Sequence, residues 1–280
     1  MSKFKIVVDS CCEIPEDIRK ELWIERVPLT LEVGDATVID DDNFNQAEFL
    51  KMVDECPTSP KSACPSPERY MQAYDEDVER VYVVTLTSKL SGSYNSAVLG
   101  KHLLEETREN CPKIHVFDSL SASVGETQLV LKIKELEEAG KSFEEVVELT
   151  ELYKNEMKTY FVLDNLDTLR KNGRLTGIKA VVVSTMNIKP IMYALDGTIA
   201  QKSQAIGTKK ALRKMADILI EEGKHLQEKV LVISHCNCLE RAQFMKEKLL
   251  EKVQFKAVYI LDMMGVSTMY ANDGGIIVTV

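Results

Sequence analysis

Short apolar, β-branched runs, each closing on Asp, Ser or Thr, punctuate the first half of the chain. Phe4–Val8 runs into Asp9-Ser10, Val81–Val84 into Thr85–Ser88, and Ile114–Phe117 into Asp118-Ser119. Runs of this length bounded by polar turns read as buried strands. Amphipathic segments alternate with them. Pro15-Glu16-Asp17 opens one helix with acid in its first turn, and Ser66-Pro67-Glu68 offers an N-cap followed by proline. Ser93 to Glu109 carries an apolar stripe, and Ser142–Glu145 fits a capping box. Alternating strands and helices predict a parallel sheet covered on both faces.

The pattern changes after Asn155–Lys158. Tyr160–Leu163 reads as a strand, and a short polar helix ends near Asn172-Gly173. Asn187–Leu195 and Thr198–Ala205 flank Asp196-Gly197, the signature of a two-residue hairpin turn. Helices follow at Gly207–Glu222 and Leu239–Glu251, with strands at Lys229–Ser234, Lys256–Asp262 and Gly275–Val280. The expected architecture is α/β: an N-terminal parallel-sheet α/β/α domain over residues 1–157, and a smaller C-terminal α/β domain over 158–280 with a mixed or antiparallel sheet. At 280 residues the chain has room for two such cores, at roughly 150 residues each.

Composition narrows the chemistry. The net charge is −9 and the basic residues are scattered, which argues against nucleic acid, whose phosphates need a concentrated positive surface. No apolar run reaches the roughly 20 residues of a bilayer span, and the apolar run at the N-terminus is too short for a signal peptide. A cytoplasmic protein with reduced thiols is expected, since the seven cysteines form no CxxC. His235-Cys236-Asn237-Cys238 lacks a second ligand pair, so no metal site is assigned. His102 and His225 lie in charged stretches, while His115 lies inside a strand and His235 ends one; none adjoins a nucleophile motif. Neither GxGxxG nor GxxxxGK[ST] occurs, so no nucleotide cofactor is called for.

In a parallel sheet, ligands bind beyond the carboxyl ends of the strands. That edge gathers Asp9, Ser10, Thr87, Ser88, Asp118 and Ser119, with Ser62, Ser91 and Ser93 in nearby loops. Such residues end strands and cap helices in most proteins, so each alone is ordinary. Together, with Ser88–Ser93 opening a helix, they suit a small anion.

Six motifs in chain order resemble those of the DegV family of bacterial fatty-acid-binding proteins. They are Ile6–Ser10 with Ile14-Pro15; Ser62–Pro67, where the family has Thr-Ser-Gln-Pro-Ser-Pro; and Leu90–Ala97, similar to Leu-Ser-Gly-Thr-Tyr-Gln-Ser-Ala. Asp118–Ser123, Leu166–Leu175, and Asn187–Ile191 with Asp196-Gly197 complete the set. The resemblance implies a non-catalytic carrier of one long-chain fatty acid between two domains, in some members presenting the carboxylate to a separate fatty acid kinase. By the same resemblance Ser62 and Ser91 hold the carboxylate, with Ala63 and Gly92 as backbone support. Arg170 and Lys202 would face a partner. Two departures stand out. Gln204–Gly207 replaces a Lys-x-Arg-Thr element, leaving Lys202 as the nearest base, and Tyr270 replaces the histidine of His-x-Gly-Pro-Gly. Tyr270 retains a hydroxyl for the carboxylate, so the losses bear on kinase engagement more than on lipid binding. The rival readings are an acyl- or phosphotransferase using the same crevice, with Asp9 or Asp118 as its perturbed carboxylate, and a protein-interaction module with an empty crevice.

Overall fold

The computed structural model describes residues 3–175 and 187–280. Four parallel strands form the first sheet, in the order β2-β1-β6-β7: β1 (Phe4–Asp9), β2 (Ile24–Val27), β6 (Arg80–Thr85) and β7 (Lys113–Asp118). Their side chains alternate between two apolar layers. Ile6, Val8, Tyr82, Val84 and Phe117 face one side, where α1 (Glu16–Glu21), α5 (Val124–Glu138) and α6 (Phe143–Glu156) contribute Ile18, Leu129, Ile133 and Val146. Val7, Val81, Val83 and Val116 face the other, under α3 (Pro67–Tyr74) and α4 (Ser93–Thr107). Burial on both faces explains why β1, β6 and β7 read as apolar runs, whereas β2, half-buried at the sheet's edge, does not.

The caps follow the sequence. Ser66 Oγ accepts the Arg69 N–H at 3.3 Å with Pro67 at the first helical position. Ser142 and Glu145 exchange both bonds of a capping box at the start of α6.

Between β2 and α3 the chain inserts a three-stranded antiparallel sheet, β4-β3-β5, built from β3 (Thr30–Val33), β4 (Ala36–Ile39) and β5 (Lys61–Ala63), with α2 (Gln46–Glu55) between the last two. Its first strand alternates, Thr30-Leu31-Glu32-Val33 ahead of Gly34-Asp35, but the other two carry little pattern. Lys61-Ser62-Ala63 has no large apolar residue to alternate, and it is held by pairing Ser62 opposite Leu31.

The second large sheet is six-stranded and mixed, in the order β10-β9-β8-β13-β11-β12. It comprises β8 (Thr159–Val162), β9 (Ile188–Leu195), β10 (Thr198–Ile206), β11 (Val230–His235), β12 (Ala257–Asp262) and β13 (Ile276–Thr279). Only β11 and β12 run parallel, joined through α9 (Leu239–Leu250); the other pairs are antiparallel. In the β9–β10 turn both Asp196 and Gly197 have positive φ, 49° and 80°, as the two-residue turn demands. The outer face packs Ile191, Ile233, Ile276 and Val278 on α8 (Thr208–Glu222) and α9.

The two sheets are tied together by buried polar links. Gln128 of α5 donates to the carbonyls of Val230 and Thr279 at 2.7 and 3.0 Å. Two short helices late in the chain, α7 (Asp167–Lys171) and α10 (Gly265–Ala271), lie beside the inserted sheet's side of the molecule. Among the described residues no helix is long and apolar enough to cross a membrane, and all seven cysteines are free.

Candidate functional site

Strand alternation builds the first wall. On β8, Tyr160 and Val162 enter the outer core, which leaves Thr159 and Phe161 on the opposite face, continued by Leu163. Ile277 of β13 pairs with Phe161, and Ala194 of β9 pairs with Ile199 of β10. This inner face looks across a cavity toward Cys11, Leu29, Leu86, Leu90 and Leu120 from the first half of the chain. Among the described residues Arg174 is the one charged side chain lining it.

Polar groups gather at one end. Ser62 on β5 and Tyr270 on α10 share a hydrogen bond at 3.1 Å, and both line the cavity. Ser91 lies in the turn between β6 and α4, where its hydroxyl accepts the Ser93 N–H at 3.2 Å. Arg174 spans these groups. Its Nε donates to the Leu90 carbonyl at 3.2 Å, and its guanidinium stands 5.7 Å from the Tyr270 ring centre. A cation over an aromatic face is held there by the ring quadrupole.

The chain reversal behind Arg174 is a Schellman motif. Gly173, at φ 74°, donates to the Arg170 carbonyl, and the Arg174 N–H reaches back to Leu169 at 2.8 Å. The reversal sends Arg170 outward, where it is exposed and paired with Asp167 at 3.1 Å, and turns Arg174 inward. Asn172 donates to the Pro60 carbonyl at 2.9 Å, so the same turn anchors the approach to Ser62. Arg174 is the site residue that the sequence reading passed over. The Asn-Gly signal marked the reversal, but four residues decide which arginine faces in.

Of the residues anticipated for the anion end, Ser62, Ser91 and Tyr270 thus meet at the cavity. Ala63 and Gly92 flank it without lining it; Gly92 is packed so that an added Cβ would sit 3.0 Å from Cys64 Sγ. Lys202 lies on β10, ion-paired with Glu222 and 5.4 Å from the Tyr193 ring centre, away from the lining.

The strand-end carboxylates are spent on architecture. Asp9 is buried and accepts the N–H groups of Leu86 (2.9 Å) and Cys11 (3.1 Å) and the Ser93 hydroxyl (2.6 Å). It therefore fixes both ends of the turn that carries Ser91. Burial raises its pKa, and burial beside Asp9 holds Glu126 far above the usual carboxylate range. Among the described residues neither Glu126 oxygen has a hydrogen-bond partner, which disfavours the charged form. Asp118 accepts the Ser88 and Leu120 N–H groups at 3.1 Å each. Ser10 accepts the Leu29 N–H at 3.0 Å. Neither Asp9 nor Asp118 lines the cavity. His235 is buried, and its Nδ1 accepts the Cys238 N–H at 3.4 Å; among the described residues no group of three His, Cys, Asp or Glu side chains could hold a metal.

The wall is largely apolar, with scattered hydroxyls such as Ser121, Thr159 and Ser267, and its one guanidinium among the described residues stands beside Tyr270 and Ser62; such a lining suits an amphiphile with an acidic head. Comparison with known proteins points the same way. Residues 3–279 match the family model described as "Uncharacterised protein, DegV family COG1307". A DegV domain-containing protein of Streptococcus pneumoniae is 34% identical over 98% of this chain and 97% of its own length. A DegV-family crystal structure from Ruminococcus gnavus, refined with vaccenic acid, superposes with TM-score 0.96 at 52% identity, covering 99% of both chains. The Fatty Acid Kinase (Fak) B3 protein of Streptococcus pneumoniae, loaded with linoleic acid, gives TM-score 0.91 at 33% identity, again covering 99% of both. The chain belongs to the DegV family.

Proposed function

We propose that this protein is a non-catalytic carrier of one long-chain fatty acid, bound between an N-terminal domain (1–157) and a C-terminal domain (158–280). The carboxylate lies at Ser62, Ser91 and Tyr270, with Arg174 supplying the positive charge, and the acyl chain fills the apolar cavity. The observation that carries the reading is the placement of the cavity's one charged side chain among the described residues: Arg174 stands beside Tyr270, which is bonded to Ser62, while Phe161, Leu163 and Ile277 make up apolar wall. Each methylene buried there contributes about 0.8 kcal/mol, so the tail dominates affinity and the head group sets orientation. The fatty acids named for the Ruminococcus gnavus and Streptococcus pneumoniae structures support the ligand class.

The carrier presents its carboxylate to a separate kinase in the cytoplasm. Support for this step is the kinase named for the Streptococcus pneumoniae relative and the exposure of Arg170 beside the head-group end. Both cations are ion-paired, Arg170 with Asp167 and Lys202 with Glu222, but Lys202 is the more buried and offers its charge to a partner less freely.

Organic extraction of the purified protein followed by mass spectrometry tests the reading. About one fatty acid per chain is expected. Replacing both Ser62 and Ser91 with Ala removes two bonds to a charged group, on the order of 3 kcal/mol or more, so retention should fall at least a hundredfold with the fold intact. Unchanged acyl content in that variant refutes the head-group assignment. Protein that holds no lipid but turns over a polar substrate would be an enzyme instead.

A further inference from the structure

Tyr270 reaches Ser62 only if α10 is correctly placed, and α10 is short: Gly265 to Tyr270 rises about 8 Å. Its first turn is held by a buried carboxylate from the inserted sheet. Asp40, directly after β4, accepts the Gly265 N–H at Oδ1 (2.7 Å) and the Val266 N–H at Oδ2 (2.9 Å). The fit is close, since a Cβ at Gly265 would stand 2.6 Å from Asp40 Oδ1. The same small sheet carries Ser62 on its far strand, β5. One sheet therefore grips both ends of α10, at the N-terminus through Asp40 and at Tyr270 through Ser62. From α10, Val266, Ser267, Tyr270 and Ala271 all face the cavity.

We propose that Asp40 is a positioning residue for the head-group site: by fixing α10 it holds the Tyr270 hydroxyl against Ser62, where the carboxylate binds. The inference rests on the carrier reading above and adds a residue that does not itself meet the ligand, for Asp40 is absent from the cavity wall. The ionised form is the one that grips, because two N–H groups at a helix start favour a negative charge. Burial raises the Asp40 pKa to about 6 against those bonds, the Ser10 hydroxyl and the charge of Arg26 on β2. The other titratable group at this helix start is Glu13, which accepts the Met264 N–H at 3.2 Å and is pushed up by burial to about 7.

A double-mutant cycle tests the proposal, with oleate titrated into delipidated protein calorimetrically. Tyr270→Phe alone should weaken oleate, about tenfold. Asp40→Asn should weaken it by a similar factor in the native background but less than twofold when Tyr270 is already Phe. Equal losses in both backgrounds overturn the inference while leaving the head-group assignment standing. A Tyr270→Phe protein that binds oleate as tightly as the native one removes that residue from the head-group assignment, and the inference with it. Should Asp40→Asn fail to fold, the native and Tyr270→Phe proteins decide the matter between pH 8 and 5. The ratio of their affinities cancels the titration of oleate itself. It should shrink as pH falls through about 6. A constant ratio, or a fall centred near 7 where Glu13 titrates, overturns the proposal.

Discussion

Arg174 and Glu13 show how far a single side chain's surroundings govern its use. Arg174 is fixed in the wall of an apolar cavity by the Leu90 and Asn172 carbonyls and the Tyr270 ring. Replacing it with Gln should cost about 1.5–3 kcal/mol of oleate affinity, the range for a bond between charged groups. Lys should not restore the loss, since an ammonium cannot bridge and stack as a planar guanidinium does. Calorimetric titration of the two variants checks both statements. Glu13 is buried with Ser123 Oγ at 2.7 Å, and burial lifts its pKa to about 7. The folded state therefore binds a proton more readily than the unfolded chain. The sign follows: stability is greatest below about 4.5 and is lost as pH rises toward about 7, by on the order of 3 kcal/mol. Glu13→Gln should flatten that slope in urea unfolding between pH 5 and 7.5.

The β9–β10 hairpin carries sequence information into the site most directly. Its tip folds over the Ser91 turn, for an added Cβ at Gly197 would collide with Thr87 Oγ1 and lie 3.1 Å from Lys89 Cγ. Gly197→Ala meets both that collision and a φ of 80°. It should lower stability by more than about 1 kcal/mol and lift the tip from the cavity, seen as a lower melting temperature and faster release of a fluorescent fatty acid. This hairpin was legible because Asp-Gly between two alternating runs has one common solution. Three of the four parallel strands, β1, β6 and β7, and the capped helices α3 and α6 were legible too, from apolar runs and caps; β2, Ile24-Glu25-Arg26-Val27, offers no such run. The inserted sheet was not: β3 turns directly into β4 at Gly34-Asp35, but β4 and β5 are three or four mostly exposed residues, and the pairing of β5 with β3 spans a helix and two loops. Helix α5 was missed for the opposite reason: it is buried nearly all round in its first half, from Val124 to Val130, and shows little amphipathic contrast. At the site, motif order pointed to Ser62, Ser91 and Tyr270, but Arg174 and Asp40 owe their places to tertiary packing. No spacing along the chain encodes it.

At the scale of the molecule, the cavity is where two cores meet without merging. The first sheet's loops supply Cys11, Leu86 and Leu120, the six-stranded sheet supplies Phe161, Ala194 and Ile277, and α10 with the inserted sheet closes the head-group end. An acyl chain in this space would substitute for packing that would otherwise join the halves, which Gln128 also links through its bonds to Val230 and Thr279. The empty protein then lacks part of its core, because an apolar space left unfilled forfeits dispersion contacts on both walls. Ligand and fold are consequently linked. At a hundred times its dissociation constant, a fatty acid that binds the folded state alone should add about 2.7 kcal/mol, and hence raise the melting temperature by roughly 5–10 °C for a chain near this size. Delipidated protein should melt that much lower, and oleate should restore it in proportion to the logarithm of its concentration. Hexadecane, which shares the tail and lacks the carboxylate, should restore only part. Equal rescue by the hydrocarbon would mean that Ser62, Ser91 and Arg174 contribute nothing to holding the ligand, and a melting temperature indifferent to both would mean that the cavity does not need filling.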